Sequence, residues 1–228
     1  MADGLDDAAI LREIEDRARG AGVCVQRVSR GRLDAEARTT APQGVLAHAD
    51  PLQATELDRL CRPDDSPFLL AVDGVTDPQN LGALLRSAEG AGVTGVVLPR
   101  HRAVHVTAAV TKAAAGAVEY LPMAIVAGIP AALARARELG VWVVGLDADG
   151  EESLFGLGLA TEPLMLVVGA EGTGLSRLTR RRCDVAVRVP LAGRLESLNV
   201  AAAGALALFE VSRRRDAHED AHKDAHKK

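Results

Sequence analysis

From residue 68 onward the chain repeats one pattern: a short unbroken apolar run, then a segment with helical spacing. The runs are Phe68-Leu-Leu-Ala-Val72, Gly95-Val-Val-Leu98, Val141-Trp-Val-Val-Gly145, Leu164-Met-Leu-Val-Val168 and Val185-Ala-Val-Arg-Val189. A strand that is apolar at nearly every position has no face to give to water, so it must be covered on both sides. Between the runs, residues 81–91, 108–115 and 131–139 read as helices, and an Ala/Leu-rich helix runs from residue 198 to about residue 214. Strands alternating with helices predict an α/β fold, a parallel sheet with helices on both faces.

The first 50 residues follow a different plan. Residues 5–19 carry Ile10, Leu11 and Ile14 among charges, which is helical spacing, and Gly20-Ala-Gly22 ends the helix. Residues 23–28 and 43–48 read as short strands. Residues 51–66 are polar, with Pro63-Asp-Asp-Ser-Pro67 at their end, and read as a linker holding a short helix. Residues 215–228 form a degenerate four-residue repeat, expected to be a disordered or frayed tail. On a helix, His218, His222 and His226 would share one face; the expectation is nonetheless no metal site.

Composition limits the function. The chain has 27 basic and 31 acidic residues, net −4, and only 2% aromatics. Stacking on exposed rings therefore cannot be the main way of holding a nucleic acid. The negative balance lies in residues 1–65, with 13 acids and nine arginines, whereas residues 66–228 are neutral and leave room for a local basic surface. Cys24, Cys61 and Cys183 fit neither a metal motif nor a disulfide framework. There is no long apolar span and no basic-then-apolar leader, so the expected location is cytoplasmic, away from membranes.

Three loops are placed to carry chemistry, because open parallel sheets bind ligands beyond the carboxyl ends of their strands. The first is Asp73-Gly-Val-Thr-Asp-Pro-Gln-Asn80, opening a helix that carries Arg86 among Ala, Leu and Ser. Asn80 reads either as a helix cap or as a ligand contact. A guanidinium at position 86 must find a partner or an open cleft. The second loop, Gly169-Ala-Glu-Gly-Thr-Gly174, is neither a dinucleotide fingerprint nor a P-loop. It reads as a tight turn or as another kind of nucleotide loop. The third, Val189-Pro-Leu-Ala-Gly-Arg-Leu-Glu-Ser197-Leu-Asn199, precedes the last helix, which Ser197 or Asn199 could cap. No hydrolase nucleophile motif is present.

Taken together, Asn80-Leu-Gly-Ala-Leu-Leu-Arg86, Gly169-Ala-Glu-Gly-Thr-Gly174 and Val189-Pro-Leu-Ala-Gly…Ser197-Leu-Asn-Val200 resemble the three motifs of the SpoU/TrmH branch of the SPOUT methyltransferases. The resemblance covers about residues 66–214. Residues 5–50 look like the latter part of the L30e-like RNA-binding domain of 23S rRNA guanosine 2′-O-methyltransferases. The opening strand and helix of that domain are missing, and Pro42 stands where the family has His. The resemblance implies S-adenosylmethionine as cofactor, RNA as substrate (23S rRNA favoured, tRNA the alternative), a homodimer, and a deep trefoil knot at the C-terminal end of the sheet. General topology rules argue against knots, so that expectation is the family's alone. The implied cofactor contacts are Gly169, Gly172, Val189, Leu191, Ser197 and Leu198. The implied catalytic group is Asn80, Arg86, Glu171 and Asn199, with Asn80 and Glu171 orienting Arg86. Ala201 replaces the family's usual Ser. The rivals are a catalytically idle knotted RNA-binding protein and a nucleotide enzyme of another kind. The first is opposed by the intact polar group, the second by the missing phosphate loops.

Overall fold

The computed structural model describes residues 1–5, 8–37, 42–62, 66–101 and 103–225. The chain forms two units, Met1–Pro51 and Leu52–Lys228.

The first unit contains helices α1 (Ala9–Gly20) and α2 (Arg30–Glu36). Neither expected strand forms a ladder. Val28 makes a single parallel bridge to Ala2, closed by Val28 N–H to Met1 O (2.9 Å) and Asp3 N–H to Val28 O (2.8 Å). A strand needs a neighbour, and among the described residues of this unit the one bridge is that of Val28 to Ala2. Helix α1 starts at Ala9; Asp6 and Asp7, in the expected first turn, lie outside the described residues. Its apolar stripe is not buried, and Ile10 is exposed.

The second unit begins with the short helix α3 (Leu57–Leu60), inside the expected linker, whose residues 63–65 lie outside the described residues. In chain order there follow β1 (Phe68–Val72), α4 (Pro78–Gly90), β2 (Gly95–Pro99), α5 (Ala108–Ala113), β3 (Met123–Val126), α6 (Ile129–Glu138), β4 (Trp142–Leu146), β5 (Glu152–Ser153), β6 (Leu164–Val168), α7 (Arg177–Arg182), β7 (Val185–Arg188) and α8 (Val200–Ala225). All pairings are parallel, in the order β3-β2-β1-β6-β4-β7-β5. Two strands were not expected: β3 is only four residues at one edge, and β5 only two at the other.

Strand alternation sorts the core onto the two faces. Phe68, Leu70 and Val72 of β1 join Leu164, Leu166 and Val168 of β6 under α4, α5 and α8. Leu69 and Ala71 join Met165 and Val167 under α3, α6 and α7. On α8, Gly204, Ala207, Leu208 and Val211 form the buried stripe at three- and four-residue intervals. A Cβ at Gly204 would meet Leu84 Cδ2 at 2.3 Å, so this glycine lets α8 press onto α4. No helix among the described residues is long and apolar enough to cross a membrane.

The last helix departs from expectation at both ends. It starts at Val200 and stays helical to Ala225, so the tail after residue 214 is not irregular within the described residues. Just past residue 214, Arg215 anchors the helix. Its guanidinium donates to Ala160 O (2.9 Å), Ser66 O (3.0 Å), Pro67 O (3.2 Å) and Glu162 O (2.5 Å), and lies 5.0 Å over the Phe68 ring. Burial holds its pKa below the usual arginine value. Further on, His218 and His222 meet edge to face at 4.4 Å, whereas His226 lies outside the described residues. Charge-assisted hydrogen bonds contribute roughly 1.5–3 kcal/mol each, less where water can replace the donor. Arg215→Ala is therefore expected to lower urea-unfolding stability by about 3 kcal/mol, with Arg215→Lys recovering less than half, because an ammonium has three donors.

Candidate active site

Strand register gathers the three loops. Val72 of β1, Val168 of β6 and Leu146 of β4 are paired neighbours, and Val187 of β7 pairs with Leu146. The next residues, Asp73, Gly169, Asp147 and Arg188, therefore leave the sheet side by side. Asp73 N–H donates to Val168 O (2.8 Å), and Asp147 N–H to Val187 O (2.9 Å).

The central loop is a closed turn. Ala170 N–H donates to Gly174 O (3.0 Å), and Gly174 N–H to Ala170 O (2.9 Å). Gly172 and Gly174 take φ of 78° and 65°, left-handed values that suit glycine. A Cβ at Gly169 would lie 2.2 Å from Gly174 C and 2.3 Å from its O, so the returning chain occupies that space. The tight-turn and ligand-loop readings thus describe one object: the turn folds back on itself and presents Glu171.

Glu171 joins all three loops. Asn80 Nδ2–H donates to Glu171 Oε2 (2.9 Å), while Asn199 Nδ2–H reaches both Asn80 Oδ1 (3.0 Å) and Glu171 Oε1 (3.3 Å). Asn199 also caps α8, its Oδ1 accepting from Ala201 N–H (2.9 Å) and Ala202 N–H (3.3 Å). Asn80 is not the cap of α4. Asp77 is, accepting from Gln79 N–H and Asn80 N–H (3.2 Å each). That frees the Asn80 amide for Glu171. The sequence held this signal: an acid directly before a proline marks a helix start, with Pro at the first helical position.

Arg86 is not part of this group within the chain. It is exposed on α4 and makes no hydrogen bond or ion pair with the described residues. Asn80 and Glu171 bond to each other and to Asn199, and neither bonds Arg86 among the described residues.

Beside Glu171 lies a cleft of about 560 Å³, within the range of small-molecule sites. Gly169, Gly172, Val189, Leu191, Ser197 and Leu198 all line it. So do residues that sequence reasoning missed: Leu146, Asp147, Arg188, Leu195 and Glu196. Arg188 donates to Gly150 O (2.6 Å) and Glu151 O (3.0 Å), across a separation that no local pattern reveals. Asp147 lies 2.8 Å from Arg180 as an ion pair. Under the cleft, Thr179 is fully buried; its hydroxyl donates to Asp73 Oδ2 (2.5 Å) and accepts from Ser176 Oγ (2.8 Å). That chain ties α7 to the end of β1.

A parallel α/β sheet with a glycine-turned cleft at its carboxyl edge is the arrangement of a small-molecule-binding α/β protein. The chain belongs to the SpoU rRNA methylase family, which matches residues 67–209. It is 39% identical over 209 residues to the 23S rRNA (guanosine-2′-O-)-methyltransferase RlmB of Photobacterium profundum, covering 90% of this chain and 83% of that protein. It is 42% identical to the protein of the same name from Shewanella oneidensis, over 87% and 82% of the two chains. Among solved structures it resembles the SpoU methyltransferase AviRb of Streptomyces viridochromogenes in complex with AdoMet. There the TM-score is 0.76 at 26% identity, over 95% of this chain and 81% of that one. The family's cofactor is S-adenosylmethionine. Gly169→Ala is expected to abolish calorimetric binding of S-adenosylmethionine, because the added carbon collides with backbone. Gly156→Ala, where a Cβ meets nothing within 4 Å, is expected to leave it unchanged.

Proposed function

We propose that this chain transfers the methyl group of S-adenosylmethionine to the ribose 2′-oxygen of a guanosine in 23S rRNA. The observation that carries the reading is Glu171, which lines the cleft and holds Asn80 and Asn199 at its side. The names of the relatives from Photobacterium and Shewanella support the substrate. A relative 37% identical, in Bacillus subtilis, is described as a putative TrmH family tRNA/rRNA methyltransferase, which keeps tRNA as the second reading.

The cleft suits the cofactor. Leu146, Val189, Leu191, Leu195 and Leu198 offer apolar surface for a nucleoside, and the nearby carboxylates of Glu171, Asp147 and Glu196 favour a cation. Gly169, Gly172, Val189, Leu191, Ser197 and Leu198 would hold it. When bound, it supplies an electrophilic methyl on a sulfonium.

The catalytic group is Asn80, Arg86, Glu171 and Asn199. The three joined side chains fix the wall against which the ribose lies. A guanidinium stays protonated, so Arg86 cannot act as a simple base. It polarises the 2′-hydroxyl and stabilises the developing oxyanion, the proton passing to an RNA phosphate. Arg86 lacks a partner among the described residues, and Leu198, Leu206 and Phe209 leave apolar surface exposed on or beside α8. Both features support a homodimer with the active site at its interface. The insertion of β6 between β1 and β4, followed by β7 beyond β4, supports the family's deep trefoil knot. The first unit is read as an L30e-like RNA-binding segment, and the substrate places the protein in the cytoplasm.

The test is Arg86→Ala, with methyl transfer from labelled S-adenosylmethionine measured on rRNA and tRNA. Transfer to 23S rRNA should fall by about 10²–10³-fold while cofactor binding persists. Near-normal transfer by the folded variant would remove Arg86 from the mechanism. Labelling of tRNA alone would replace the substrate.

A further inference from the structure

Helix α7 carries arginine at four of its six positions, Arg177, Arg180, Arg181 and Arg182. Their environments differ. Arg180 is half-buried and paired with Asp147. Arg177, Arg181 and Arg182 are exposed and have no acidic partner among the described residues, and the first two lie four residues apart on one face. Elsewhere in this unit some arginines are neutralised, Arg135 by Asp58 and Glu138, Arg137 by Asp184, Arg213 by Glu210. Arg59 and Arg62 of the α3 region are exposed and have no acidic partner among the described residues either.

The unpaired state of α7 opposes its own helix. Like charges four residues apart repel, and Arg177 stands in the first turn, where the helix dipole disfavours a cation. The dipole explains the arginines of the last turn, but not Arg177. The helix is held regardless, by the Ser176 cap on Thr179 N–H (3.2 Å) and by the buried Thr179 hydroxyl on Asp73. Asp73 is the first residue after β1, so α7 is fixed to the strand ends that carry the cleft. Its first residue lies eight positions after Gly169. Two unpaired guanidiniums on a pre-positioned helix beside an active site match a polyanion, in a chain whose net charge of −4 supplies no general attraction to one.

We propose that Arg177 and Arg181 grip phosphates of the substrate RNA next to the target nucleotide and so set its register at the cleft. The inference rests on the RNA-methylating reading and adds the surface by which the RNA is held. Phosphate contacts position a nucleic acid without reading its sequence, so the pair should control affinity and not the chemical step.

The test compares Arg177→Gln/Arg181→Gln with Arg59→Gln/Arg62→Gln, which removes the same charge elsewhere. Methyl transfer to transcribed 23S rRNA and filter retention of that RNA are both measured across a salt series. The α7 variant should raise the KM for RNA on the order of tenfold, with kcat and S-adenosylmethionine affinity unchanged. Its log–log salt slope should become shallower by about one per lost contact. The control should match wild type in both. Unchanged KM, retention and slope in the α7 variant, with wild type active, would overturn the α7 surface alone. Equal effects in the control would overturn it as well, by making net charge the cause. A wild type that retains RNA without methylating it overturns the proposed function, and the retention series still judges the arginines. If the double variant does not fold, Arg177→Gln alone carries the test, with half the change in slope.

Discussion

The structure hangs on where β6 lies. It is seated between β1 and β4 in full five-residue parallel register with each, so its last residue, Val168, is flanked by Val72 and Leu146. Parallel strands all point the same way, and every loop that follows one of these ends must leave from the same edge. The chain after Val168 has no free space on that edge. It turns at once, so tightly that Gly169 lies against the backbone of Gly174, where a Cβ would sit 2.2 Å from a carbonyl carbon. The cleft is what remains between this turn and the segments that leave β4 and β7.

The same packing fixes the last helix at both ends. At its start Asn199 works with both ends of its amide: the oxygen caps α8, and the nitrogen reaches Asn80 and Glu171. Toward its far end Arg215 donates to four carbonyls around the start of β1 and the segment before β6. Between them, Gly204 lies against Leu84 and Val168. A change in the tilt of α8 would therefore move Asn199 relative to Glu171. Helix packing and active-site geometry are here one constraint, because a side chain that caps a helix cannot move independently of it.

Much of this was legible in the sequence, for reasons that also mark the limits. The five buried strands announced themselves because a strand covered on both faces must be apolar throughout. The edge strands β3 and β5 did not, since a four-residue and a two-residue strand carry too little pattern. The helix α8 was read as ending near Arg214 because the residues beyond are polar. The next residue, Arg215, has its guanidinium bonded to carbonyls up to 149 positions away, and no local periodicity reports such a contact. In the first unit, alternation suggests strands at residues 23–28 and 43–48, but pairing depends on a neighbour, and among the described residues only Val28 forms a bridge. The site loops were located by glycine and proline placement. The division of labour between Asp77 and Asn80 came out only in three dimensions, where two candidate oxygens compete for the same helix start and the one just before Pro78 wins.

The polar group at the cleft also explains why Arg86 stands apart. Glu171 makes no ion pair with Arg86 among the described residues; its two oxygens accept from the amides of Asn80 and Asn199. Glu89, three residues along the same helix, forms no ion pair with Arg86 either. A guanidinium in water gains little from a surface pair and keeps its hydration, so Arg86 is free to meet an acceptor that arrives from outside. A ribose hydroxyl flanked by phosphates is such an acceptor, and so is a surface of a second copy. In either case Arg86 would act only once the complex has formed. Catalysis would then be tied to docking, and a lone chain with cofactor in its cleft would hold the methyl donor without an activated acceptor.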